Sequence, residues 1–128
     1  MNVFDSTTIR DTVRAIVRNL GVSKKVYSNR PKEAETASDF VVVGISGSVE
    51  DMAAYGECVI TISLFAKDID SFINDKKLSV MYRKLAEGFP PAKDNLLFDT
   101  EWSILPDTPD DFGFHVRIIR INTTIKAI

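Results

Sequence analysis

The stretch that most limits what this chain can become is Gly56–Asp68, GECVITISLFAKD. Cys58, Ile60, Ile62 and Leu64 fall on one side of an extended backbone. Val59, Thr61, Ser63 and Phe65 fall on the other, the period of two that belongs to a sheet strand. A second apolar strand, Asp39–Ile45, precedes it, and a helix follows from about Asp70 or Ser71. No catalytic constellation sits at the ends of this stretch. Function must therefore be sought in the layout.

The helix reading rests on a period nearer four. Asp5 and Ser6 are N-cap candidates, because a short oxygen-bearing side chain can accept from an orphan backbone N–H. Ile9, Val13, Ile16, Val17 and Leu20 then make one apolar stripe, stopped at Gly21. Arg10, Arg14 and Arg18 form a basic stripe that Asp11 and the helix C-terminus complete as a solvated face. A second helix is expected over Ser71–Glu87, burying Phe72, Leu78, Met81, Tyr82 and Leu85 and ending at Phe89-Pro90-Pro91.

Around these lie shorter pieces. Lys25–Tyr27 reads as a short strand, and Ser28–Ser38 as a polar arm that starts extended because Arg30 precedes a proline. Such a length exceeds the usual connection of about 4–6 residues. Ser46–Ala54 reads as a flexible hairpin tip joining Phe40–Ile45 to Gly56–Ala66. Leu96–Ile104 reads as a half-buried strand with Asp99 and Glu101 on its wet face, and Leu105–Asp111 as a solvated acidic turn. Phe112–Ile125 reads as the last strand. Its apolar phase moves from Phe112, Phe114, Val116 and Ile118 to Ile119, Ile121 and Ile125, which needs a β-bulge or a strand that changes the side it buries. The expected fold is α+β: a mostly antiparallel sheet of four to five strands with two helices packed on it. Its core should include Ile16, Leu20, Val42, Ile60, Ile62, Leu64, Leu78, Met81, Leu85, Phe98 and Val116.

With 128 residues the chain makes one domain, 1–128. Hydrophobic residues at 45% and charged residues at 27% are the balance of a globular protein. A net charge of −2 gives no electrostatic drive toward nucleic acid, and Phe40–Ile45 falls far short of the ~20 apolar residues of a membrane span. No signal peptide is evident at the N-terminus, so cytosolic folding is the expectation. One cysteine rules out an internal disulfide and a multi-thiolate zinc site.

Candidate chemistry is sparse. His115 is the single histidine, on a strand, with no nucleophile placed beside it by local sequence. Cys58 is in phase with Ile60, Ile62 and Leu64 and is read as core. The Asp107–Asp111 turn lacks the alternating ligands and terminal glutamate of a calcium loop. Gly44-Ile45-Ser46-Gly47 is no nucleophile elbow, and no phosphate loop is present. No catalytic, metal-binding or cofactor-binding residue is assigned, and no cofactor is expected.

The order of helix, short strand, polar arm, two long strands, helix and two strands resembles the tail-completion or tail-terminator proteins of tailed bacteriophages. The resemblance lies in the N-terminal helix, Val26-Tyr27 leading to Arg30-Pro31, Phe40-Val41-Val42-Val43, Phe65-Ala66-Lys67-Asp68 and the helix after it. It covers nearly the whole chain. It implies a non-enzymatic structural protein that closes into a ring, usually a hexamer, at the head-proximal end of the tail tube. The implied partners are tail-tube and head-completion proteins, and the implied places are the bacterial cytoplasm during assembly and then the virion.

The residues add two projections that such a ring could use. The arm carries Arg30, Lys32, Glu33 and Glu35, and the hairpin tip carries Glu50 and Asp51, charges of both signs suited to pairing with neighbours. Two other classes compete: a small α+β enzyme or ligand-binding protein, which needs a pocket with converging polar groups, and an adaptor with no virion role.

Overall fold

The computed structural model describes residues 5–32, 37–51 and 55–126, the side chains of 47–51 excepted. In chain order the elements are α1 (Ser6–Asn19), β1 (Val26–Tyr27), β2 (Asp39–Asp51), β3 (Tyr55–Lys67) and α2 (Asp75–Gly88). There follow β4 (Ala92–Lys93), β5 (Leu96–Phe98), β6 (Ser103–Ile104), β7 (Thr108–Pro109) and β8 (Phe114–Lys126).

One sheet collects all eight strands in the order β1-β2-β3-β8-β5-β4, with β6 and β7 also paired to β8. This exceeds the four to five strands expected. The excess arises because β5, β6 and β7 pair with β8 in two- and three-residue pieces and β4 adds outside β5. The sheet is also mixed, since β1 runs parallel to β2 with Val26 opposite Val41. β3 is central: it pairs with β2 on one side and, from Tyr55 to Lys67, with β8 on the other.

α1 forms where the stripe places it. Asp5 Oδ1 accepts from Thr7 N at 3.0 Å, Ile9, Val13, Ile16 and Val17 are buried, and Gly21 takes the left-handed φ of +71° past the helix end. α2 starts four residues later than the pattern suggests. Asp70 and Ser71, with φ of +52° and +71°, make a tight turn closed by reciprocal bonds between the Ile69 and Phe72 backbones, each 2.9 Å. The turn takes Phe72 out of the helix and leaves it 75% exposed, so it does not belong to the buried stripe. Asn74 caps the helix instead, accepting from Lys77 N at 3.2 Å.

The expected strand Leu96–Ile104 breaks after Phe98. Asp99 Oδ1 accepts from Glu101 N at 3.1 Å and its carbonyl accepts from Trp102 Nε1 at 3.0 Å. These local bonds compete with a ladder and win. Asp99 and Glu101 thus sit in a turn, not on alternate strand positions. β2 in turn runs on to Asp51, so most of the presumed flexible tip is strand, with a register shift between Ser46 and Glu50. Met52–Ala54 of that tip lie outside the described residues.

The sheet buries both faces. On the front, α1 and α2 cover Val41, Val43, Ile60, Ile62, Leu64, Ile119, Ile121 and Ile125, all fully buried. On the back, a smaller cluster joins Ala37, Phe40 and Phe114 with Tyr27, Val42 and Phe65. β8 pairs with β3 in one unbroken register from Phe114 to Lys126, so its change of phase is no bulge. The strand buries Phe114 on the back at one end and Ile119, Ile121 and Ile125 on the front at the other. Of the expected core, Leu20 and Val42 are half-buried and the rest are buried; Phe112 is 53% exposed.

Candidate functional site

The densest polar constellation lies on the back of the sheet, where the chain leaves β1. Arg30 is brought there by the extended Arg30-Pro31 step and meets side chains from three strands and a turn. Its guanidinium carbon lies 4.4 Å from the Phe112 ring centroid, 5.3 Å from Phe40, 5.5 Å from Phe114 and 5.7 Å from Phe65. Phe40 and Phe65 are stacked at 4.4 Å, and Phe114 meets Phe40 edge-on. Arg30 Nη2 donates to Asp110 Oδ2 at 3.0 Å.

Asp110 has a second task. Its Oδ1 accepts from the Phe112 and Phe114 backbones at 2.8 and 3.0 Å, and its own N–H donates to Phe114 O at 2.8 Å. Gly113, at φ +83°, lets the chain turn between the two rings. One carboxylate therefore shapes the turn that delivers two phenylalanines and pairs with the cation they surround.

The remaining acidic-turn residue of note is Asp107. Arg117 Nε and Nη2 both donate to it at 2.8 Å, and this bidentate bond holds the Asp107 carboxyl below the usual carboxylate range. The turn expected to be merely solvated is thus tied to the fold twice, by Asp107 and by Asp110.

The residues expected at an interface with neighbours fall in different places. Arg30 packs against its own domain, whereas Lys32 is exposed. Glu33 and Glu35 lie outside the described residues. Glu50 and Asp51 are placed on the β2 ladder opposite Glu57 and Gly56, and their side chains also lie outside the described ones. The far end of the arm returns to the subunit: Ala37 is buried in the back cluster and Ser38 O accepts from Lys67 N at 2.9 Å. The polar arm expected over Ser28–Ser38 is thus held to the domain at Arg30 and again at Ala37 and Ser38.

His115 Nδ1 lies 2.6 Å from Asp68 Oδ1, a pairing that local sequence did not indicate. Among the described residues no hydroxyl or thiol bonds the other ring nitrogen. Cys58 is eight positions along β3 from Ala66, the residue opposite His115, or about 26 Å away at ~3.3 Å per residue. Burial pushes the Cys58 thiol up to about 11, so it is a poor nucleophile. It does border a half-open cleft of about 590 Å³ shared with Glu57, Asp99 and Asn122. A second cleft of about 390 Å³ is walled by Tyr82, Phe89, Pro90 and Trp102. Neither contains His115. Among the described residues no three His, Cys, Asp or Glu side chains cluster as metal ligands, and no helix is long and apolar enough to cross a membrane.

Pattern reading missed the socket because its parts are far apart in sequence. Arg30 and Asp110 are brought together only by the sheet. The usable signal was Phe112-Gly113-Phe114 after Asp110, a turn glycine between two aromatics.

With the geometry in view, the chain can be set against known proteins. No family model matches it, and no curated protein matches it. Its fold matches a chain from the solved virion of a native gene transfer agent particle with a TM-score of 0.58. The match covers 98% of this chain and 95% of that one at 10% sequence identity. The likeness is one of fold.

Proposed function

We propose that this is a structural protein of a phage, prophage or phage-like particle. In this reading it caps the tail tube at its head-proximal end and joins tail to head by closing into a ring of identical subunits. The observation that carries the reading is the end-to-end fold match with a virion chain, 98% of one and 95% of the other. The layout resemblance to tail-terminator proteins agrees with it, and that resemblance supplies the hexamer, the tail-tube and head-completion partners and the absence of enzymatic activity. Head-to-tail contacts between identical copies close a ring when the rotation fits, and the 28–38 segment with its exposed Lys32 is the projection assigned to that contact.

The test is complementation. Particles made without this chain should accumulate as separate heads and tails, and purified protein added back should join them. Deleting Lys32–Thr36 should leave the domain folded by circular dichroism and abolish joining. His115→Ala and Cys58→Ser proteins should join heads to tails at the wild-type rate once their stabilities are matched. Normal particles formed in the absence of the chain would refute the assignment.

A further inference from the structure

We propose that the back-face pocket is a guanidinium-binding site, loaded by the chain's own Arg30, that latches the root of the 28–38 segment to the sheet. Only the consequence for assembly rests on the function proposed above; the latch stands on its geometry. The pocket meets both demands of a planar cation. Four phenylalanine rings within 5.7 Å of the guanidinium carbon offer negative ring faces, and the Asp110 carboxylate accepts in-plane hydrogen at 3.0 Å. An ammonium would stack poorly there and give up a tighter hydration shell.

The same geometry accounts for Phe112. At 53% exposure it is a large apolar ring left partly in water, yet it makes the shortest approach to Arg30, 4.4 Å. It lies over the guanidinium while about half of it stays in solvent. Asp110 commits its other oxygen to the Phe112 and Phe114 amides, so the turn and the cation are coupled: withdrawing Arg30 leaves the carboxylate and four rings without the group they surround. Pro31 then restricts the backbone immediately after the latch. Ser28–Lys32 is therefore held at a fixed place on the sheet, which lowers the ordering cost of meeting a neighbour there.

Hydrogen exchange on the full-length chain, read at the Phe112 and Phe114 amides that donate to the Asp110 carboxylate, tests this. Arg30→Ala should raise exchange there about tenfold or more, with the front core still protected. Adding 50 mM methylguanidinium (about that concentration, well below denaturing levels) should restore protection, whereas methylammonium at equal concentration should not. Arg30→Lys, which keeps charge and stem and guards against misfolding of the alanine variant, should exchange nearly as fast as Arg30→Ala. The proposal is overturned if either variant exchanges like wild type, or if methylammonium rescues as well as methylguanidinium. Loss of the latch with unchanged head–tail joining would separate the two readings: the site stands and its part in assembly does not.

Discussion

The two faces of the sheet are built on different principles. The front is aliphatic, periodic and covered by two regular helices; Ile60, Ile62, Leu64, Ile119 and Ile121 are wholly buried there by nearest-neighbour alternation. The back is aromatic and irregular, covered by the ends of an arm and one acidic turn, with a cation enclosed among its rings. Area burial alone stabilises the front, so what matters there is volume. The back depends on particular groups meeting at particular angles, so what matters is chemistry. If the two faces are independent in this way, the back should open without dismantling the front.

This contrast can be broken by mutation. Ile62→Ala, a cavity in the middle of the front core, should cost roughly 2–5 kcal/mol in chemical denaturation and destabilise every probe together. A local effect confined to one face would show that the front is not the cooperative unit. Asp110→Asn comes next, at about 1.5–3 kcal/mol, because the amide keeps the two accepted backbone bonds but turns a donor toward Arg30. Exchange should rise at the Phe112 and Phe114 amides more than in α1.

Asp107→Asn should cost about 1 kcal/mol, since it loses a bidentate partner that remains partly solvated. Its sign with pH follows from the lowered carboxyl. The Asp107–Arg117 contribution is complete above the ordinary carboxylate value and is lost as pH falls below it through the depressed folded-state value. The wild-type and Asp107→Asn denaturation midpoints should therefore converge in acid and separate toward neutrality. The smallest effect belongs to Cys58: with its thiol pushed up to about 11, native protein should label slowly at neutral pH and quickly after unfolding. Fast native labelling would place Cys58 outside the front core.

What could be read from the chain follows the same division. α1, β3 and the front core are legible because each is written in local periodicity, Ile9 to Val17 at helical steps and Cys58 to Leu64 at strand steps. The late start of α2 was hidden because Asp70 and Ser71 adopt left-handed backbone without glycine, so the turn left no usual mark. The break after Phe98 was hidden because Asp99 caps a turn with the side chain that alternation assigned to a wet strand face. The change of face along β8 was visible as a shift in phase, and only pairing with β3 decided between its two explanations. The socket was invisible in one dimension: Arg30 and Asp110 are eighty residues apart with six strands between them in sequence, and each alone reads as a surface charge. Sequence resemblance reached the layout, and the fold match with a virion chain extends over the same span.

The central claim is a ring at the junction of tail and head, and imaging the assembled particle tests it most directly. Electron cryomicroscopy of tails purified with this chain present should show a closed ring of its copies at the head-proximal end of the tube, with the 28–38 segment between neighbouring subunits. Tails made without it should lack that ring and fail to join heads. A particle in which the chain is absent, or lies elsewhere than the head-proximal end, would contradict the account.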